Sequence, residues 1–278
     1  MGRIIGKNIV GKIGNLVYRR GRKGMTIISA KAKNVRQTAE TKKSAKFFGR
    51  VANVAKIVRL ETDWLGQQDM TLMTRLNKEM LPIFKACYSK ESETFDFSNT
   101  YFDHLNGIEF NTSSLLRAYL WKLPVFEHSS DHLKITIPEL SAGSSLAFPG
   151  SASLCRLSMQ PLQFDLNDGR LQVMPRMIHD IAVDQGIVPA QDFHLDLTPG
   201  TLCMVVMGLQ YFSKDSGMFF SLRTEDFSPA ALLYAMWNEG VFAEQISESF
   251  VTKNEDGGMT GKTVHYWEKQ YQPFPIRK

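Results

Sequence analysis

Leu133-Lys134-Ile135-Thr136-Ile137 alternates apolar and polar residues without a break, and Pro138 stops it. Side chains of a strand point alternately to its two faces, so a period of two places Leu133, Ile135 and Ile137 on one buried face. Strand-like segments continue downstream. Ala152 to Leu166, Leu171 to Val183, Phe193 to Leu197, Thr201 to Ser213 and Met218 to Leu222 follow, with turn residues between them. Asn167-Asp168-Gly169 is a hairpin turn, because Asp-Gly readily takes the left-handed backbone that such turns need. Many strands joined by short polar turns imply an antiparallel sandwich or barrel. Residues 228–278 add a segment rich in Ala and Leu, then a hairpin of Ser247–Lys253 with Thr263–Lys269 around Asp256-Gly257-Gly258. The pattern assigns no role to residues 239–278.

Upstream the period is helical. Between residues 66 and 90, Met70, Met73, Leu76, Met80 and Phe84 recur three or four apart, with Pro82 expected to kink or break the helix. Thr38 is the expected N-cap of an earlier helix reaching about Glu61, its apolar stripe formed by Phe48, Val51, Ala52, Ala55 and Val58. Lys42, Lys43, Lys46, Arg50, Lys56 and Arg59 lie largely off that stripe and give the helix a basic outer face. Residues 31–37 are a connector carrying Lys31, Lys33 and Arg36. Residues 2–31 read as short strands between glycines. Asn15–Arg20 and Met25–Ala30 flank Gly21-Arg22-Lys23-Gly24, a hairpin whose tip bears Arg19, Arg20, Arg22 and Lys23. Residues 91–131 are the least legible; Asn111-Thr112-Ser113-Ser114 leads into a short element with Leu115, Leu116 and Trp121, ended by Pro124. The expected fold class is α+β: a basic N-terminal β-hairpin and two amphipathic helices, then an antiparallel β-sandwich. The expected domains are 1–130 and 131–278.

Charge is divided as sharply as periodicity. The first sixty residues hold 16 of the 33 Lys and Arg and one acid, Glu40, a net of about +15. The remaining 218 residues, with 17 basic and 27 acidic, carry about −10. Such a split bears on partners rather than on fold. Either a polyanion or the acidic part of a neighbouring copy answers it.

Composition narrows the classes further. The 43% hydrophobic content is ample for a sizeable core. The longest apolar runs, such as Leu202-Cys203-Met204-Val205-Val206-Met207, are far short of the roughly 20 residues of a membrane-crossing helix. Gly6, Lys7, Gly11, Lys12 and Gly14 interrupt the apolar stretch that a secretory signal needs, so a cytoplasmic protein, or one packed into a particle, is expected. Cys87, Cys155 and Cys203 sit among apolar neighbours and read as reduced, buried and structural.

No catalytic constellation emerges. In Glu127-His128-Ser129-Ser130-Asp131-His132 the two histidines would face together only on a helix, and the stretch lies between Pro124 and a strand. Zinc also needs three or four converging ligands. Gly257-Gly258-Met259-Thr260-Gly261-Lys262-Thr263 has the wrong spacing for a phosphate-binding loop, since Asp256 stands where its first glycine belongs. Asp165 and Asp168 suggest a turn rather than a calcium loop, because Arg170 takes the glycine position. Catalytic, metal and cofactor residues are therefore expected to be none.

Two groups of residues carry a resemblance. One is Gly11-Lys12-Ile13-Gly14-Asn15-Leu16-Val17-Tyr18 with the basic turn and the Phe-bearing helix that follow. The other is Met207-Gly208-Leu209-Gln210-Tyr211-Phe212 with Gly217-Met218-Phe219-Phe220-Ser221-Leu222. Over roughly residues 1–60 and 130–235 the chain resembles an uncharacterised bacterial family, often found in prophage-like and mobile regions, with a basic glycine-rich N-terminal motif and a C-terminal β-sandwich. The resemblance implies structural or assembly work and no catalytic residues.

The expectation is thus a non-enzymatic structural or assembly protein, virion-like in character, whose N-terminal segment engages acidic neighbouring subunits or nucleic acid. The alternative is a nucleic-acid-binding protein with the β-sandwich as accessory. The candidate polyanion site is Arg19, Arg20, Arg22, Lys23, Lys31, Lys33, Arg36, Lys42, Lys43, Lys46 and Arg50. A homo-oligomer and nucleic acid are the expected partners, without a membrane or a small-molecule substrate.

Overall fold

The structure, a computed structural model, describes residues 3–5, 8–20, 25–31, 37–65, 68–98, 100–222, 224, 227–243, 247–250, 262–265 and 268–276. The chain is α+β with several antiparallel sheets. It divides into two compact units, Met1–Lys46 and Phe47–Lys278. The expected boundary at 130/131 falls inside the second of these units. The reason is hydrophobic: helix residues such as Val51, Leu76 and Phe84 share one core with strand residues such as Leu162, Met204 and Leu232. Neither set can leave that core without exposing apolar surface.

The N-terminal unit contains a four-stranded antiparallel sheet, β1 (Arg3–Ile5), β2 (Asn8–Ile13), β3 (Leu16–Arg20) and β4 (Thr26–Ala30), in sequence order. Strands β3 and β4 are the expected hairpin, paired from Leu16↔Ala30 to Arg20↔Thr26. The turn between β2 and β3 is Gly14-Asn15, and Gly14 has φ +57°, the conformation that a two-residue hairpin loop demands of its first residue.

Helix α1 (Ala39–Glu61) starts where Thr38 Oγ1 accepts a hydrogen bond from the Thr41 amide at 3.2 Å. Its buried residues are Val51, Val54, Ala55, Ile57 and Val58. The expected stripe is turned by one residue at its start: Phe48 is exposed, and Phe47 stacks on Phe95 at 6.0 Å. Phe47, Val51, Val54 and Val58 follow the i, i+4, i+7, i+11 line of one helix face, and Phe48 falls beside it. Helix α2 (Leu72–Ala86) buries Leu72, Leu76, Met80, Ile83 and Phe84. Met70 precedes it and is exposed, and the helix continues four residues past Pro82 rather than breaking there.

The second unit continues with β5 (Tyr88–Ser89), β6 (Thr94–Phe95), β7 (Ile108–Glu109), helix α3 (Leu116–Tyr119), β8 (Val125–His128), β9 (His132–Ile137) and β10 (Leu140–Ser141). Next come β11 (Leu154–Asp165), β12 (Arg170–Val173), β13 (Met177–Ala182), β14 (Ile187–Val188), β15 (Gln191–Asp196), β16 (Thr201–Asp215) and β17 (Met218–Ser221). The last are β18 (Ala230–Asn238), β19 (Ser247–Phe250), β20 (Lys262–His265) and β21 (Glu268–Lys269). The central sheet runs β21-β12-β11-β16-β18-β7, with β13 also on β11 and β17 also on β16. The single strand expected over 171–183 is two, separated at Met174-Pro175-Arg176. Proline has no N–H for the ladder, so the chain leaves β11 and rejoins it lower down as β13.

Strand β16 decides the packing. Leu202, Met204 and Val206 enter the core shared with the helices. Cys203, Val205, Met207, Leu209 and Tyr211 enter a second core with Leu133, Ile135 and Ile137 of β9 and Leu195 of β15. The three-stranded sheet β15-β9-β8 thus covers one face of the central sheet, and α1 and α2 cover the other.

Loops are tied to this frame by buried polar groups. Gln163 Nε2 donates to the Asp196 carbonyl at 2.8 Å, and its Oε1 accepts from the Thr198 amide at 2.9 Å. Asp69 accepts from the amide and hydroxyl of Thr71 and of Thr112, and pairs with Arg75 at 2.6 Å. Burial works to raise the Asp69 carboxyl, but these hydrogen bonds outweigh it and hold the pKa down at about 2. A depressed carboxylate contributes stability above its unfolded value of 3.8 that is lost as pH falls through about 2. Asp69→Asn is expected to flatten the fall in unfolding free energy between those two values, measured by denaturant titration across pH. An acid limb identical to the parent's would contradict it.

Residues 268–276 close the helix-side core, giving part of the unassigned tail a role. Tyr271 Oη donates to the Asp165 carbonyl at 2.8 Å, and Phe274 packs 5.0 Å from Phe84 and 5.1 Å from Phe95. The turn before β12 fits under this tail, because a Cβ on Gly169 would stand 2.1 Å from the Tyr271 carbonyl oxygen. The expected hairpin of the tail is seen in the pairing of β19 with β20, while Asp256-Gly257-Gly258 lies outside the described residues. Phe274→Ala should cost about 3–5 kcal/mol in urea unfolding, as truncation of a fully buried phenylalanine does; a loss under about 1 kcal/mol would show that the tail is not part of the core.

Candidate polyanion and subunit interface

The register of β2, β3 and β4 sorts the N-terminal sheet into two faces. Lys12 is opposite Val17, Val17 opposite Ser29, and Arg19 opposite Ile27. Cross-strand partners share a face and alternate residues share a face. One face therefore carries Lys12, Arg19 and, just beyond β4, Lys31, with Val17 and Ile27 between them. The other carries Ile13, Leu16, Tyr18, Arg20, Ile28 and Ala30.

The basic face concentrates charge. The side chain of Lys31, close by and of like sign, pulls the Lys12 pKa below the ordinary lysine value. Two adjacent ammonium groups that raise each other's energy are relieved by an anion laid between them. The Lys31 amide also donates to the Asn15 carbonyl at 2.7 Å, which fixes where Lys31 leaves the sheet.

Arg19 and Arg20 are exposed but lie on opposite faces. Arg22, Lys23, Lys33 and Arg36 lie outside the described residues. Lys42, Lys43 and Lys46 are exposed on the first turns of α1. Arg50 is half-buried in the second unit, and burial lowers its pKa. Lys12 was missed as a site residue, although the alternation Lys12-Ile13 would place it once residues 8–13 are paired with 16–20.

Among the described residues no group of three or more His, Cys, Asp and Glu could hold a metal ion. His132 pairs with its neighbour Asp131 at 2.8 Å. Cys87, Cys155 and Cys203 are buried and free, and burial pushes the Cys155 and Cys203 thiols up to about 12, far from a reactive thiolate. Trp121 is exposed. No described helix is long and apolar enough to cross a membrane.

Compared with known proteins, the chain matches no protein-family profile, no curated protein and no solved structure.

The lysine pair gives a direct check. In an NMR titration Lys12 should deprotonate below the ordinary lysine value and return toward it in Lys31→Ala; an unmoved Lys12 would contradict the pairing.

Proposed function

We propose that this is a non-enzymatic structural or assembly protein, virion-like in character, whose basic N-terminal unit engages the acidic unit of a neighbouring copy or nucleic acid. The observation that supports this most is that the division of charge follows the division into compact units. Residues 1–46 carry 13 basic residues and one acid, about +12, and residues 47–278 carry 20 basic and 27 acidic, about −7. Potentials of opposite sign on separate units steer one copy toward the next, and they hold the assembly through contacts that salt weakens. The finer fold reading, two amphipathic helices joined to a β-sandwich, belongs to this proposal as its scaffold. So do the resemblance to the prophage-associated family and the location in the cytoplasm or in a particle.

The second reading, a nucleic-acid-binding protein, is favoured by the Lys12–Lys31 pair beside Arg19. Phosphate contacts release counterions, so each one lost should lower the slope of log affinity against log salt by about 0.9 for duplex DNA. The triple variant Lys12→Ala/Arg19→Ala/Lys31→Ala decides between the two. The assembly reading expects its mass at low salt, by light scattering, to fall below the parent's, with little binding of a duplex oligonucleotide by either. Nucleic-acid binding expects the parent to bind the duplex and the variant to lose affinity by tenfold or more. Parent-like mass and parent-like binding together would overturn the role of the basic face.

A further inference from the structure

Arg20 stands at one end of the second face of the N-terminal sheet, and charge does not explain the rest of it. Ile13, Leu16 and Ile28 lie on it together, 47%, 40% and 56% exposed, with Tyr18 between them. Isoleucine and leucine offer nothing to a phosphate. A sheet of this size with one apolar face normally packs that face against something.

Charge limits what can cover that face. Two such sheets packed face to face would bring together two units of about +12 each. Like charges of that size oppose the contact. The unit of opposite sign is the one from residue 47 onward, at about −7.

That unit has an apolar surface of its own. Beyond the core, β16 continues to Asp215 and pairs with β17 from Phe212↔Ser221 to Asp215↔Met218. All four residues of β17 are exposed, including Met218 at 62%, Phe219 at 52% and Phe220 at 48%. The strand carries no charge and no proline, the two devices that usually blunt a strand at the margin of a sheet. Aromatic and methionine side chains are also what the centres of protein interfaces are enriched in.

We infer that the apolar face of the N-terminal sheet, built on Ile13, Leu16 and Ile28, docks on the β16–β17 hairpin of a second copy. The two patches differ, so the contact is heterologous: each copy offers one patch forward and one back, and the assembly grows head to tail until it closes into a ring or extends as a filament. The basic face with Lys12, Arg19 and Lys31 stays outward along such an assembly. This inference rests on the assembly reading above and adds the surfaces through which it runs.

The test uses three full-length variants: Leu16→Asp/Ile28→Asp, which charges the sheet face; Phe219→Asp/Phe220→Asp, which charges the hairpin; and Ile28→Thr, which keeps a strand-forming β-branched residue. Mass is measured by light scattering at low salt, with unfolding monitored so that a melted variant is recognised. The charged variants alone should run as monomers, and Ile28→Thr should assemble at least tenfold more weakly than the parent. An equimolar mixture of the two charged variants should give a species of two chains and no more, because one intact sheet face meets one intact hairpin. If the parent assembles but the charged variants do so equally, the inference fails and the assembly reading stands. If only the sheet variant loses assembly, or the mixture stays monomeric, the hairpin is not the receiving surface and the inference fails. Should Leu16→Asp/Ile28→Asp unfold, parent-like assembly by Ile28→Thr overturns the inference on its own. A parent that is monomeric at low salt overturns both readings.

Discussion

The burial of β16 on both faces is the constraint from which the rest of the larger unit follows. A strand in the middle of a sheet has its backbone satisfied by neighbours, here β11 and β18. Its side chains, however, need a cover above and below. Met204 and Val206 require the helices, and Val205 and Met207 require the three-stranded sheet. The second unit therefore runs from Phe47 to the tail instead of beginning at the strands. Withdrawing either cover would expose one whole row of β16, with each large side chain worth about 1.5–3 kcal/mol.

Much of this was legible in the residues. The strict alternation of Leu133 to Ile137 marks a strand buried on one face, and β9 is one, with its second face half-exposed. Leu202 to Met207, by contrast, is apolar at every position, which periodicity alone cannot divide between two cores. The run is continuous because both faces are buried. Helix positions were legible to within a residue: Phe47 and Phe48 are adjacent and identical in type, so only the partner rings of Phe95 and Tyr88 decide which is inside. The tail was not legible, because Tyr271 and Phe274 sit among prolines and charges with no period. Their burial is set by contacts with Asp165 and Phe84, about a hundred and nearly two hundred residues away in the chain.

The candidate site was legible in charge and not in geometry. Counting residues shows a basic N-terminal segment, but only the register of β2 to β4 separates Arg19 from Arg20 and brings Lys12 to Lys31. The same register gathers Ile13, Leu16 and Ile28, whose apolar character is plain in the sequence but whose common face is not. A small sheet with one basic and one apolar face can meet two different partners at once. This is more than a solvated basic tail can do, and it links the charge division to a built element.

The central claim is that the opposite charges of the two units drive assembly. The most direct measurement is the solution mass of the unmodified protein by light scattering, with the 260/280 nm ratio on the same peak, at low salt and at about 1 M, where charge contacts are screened beyond about 3 Å. The account predicts a large species that shrinks at high salt and carries little nucleic acid. A monomer of unchanged mass at both salt concentrations would contradict it.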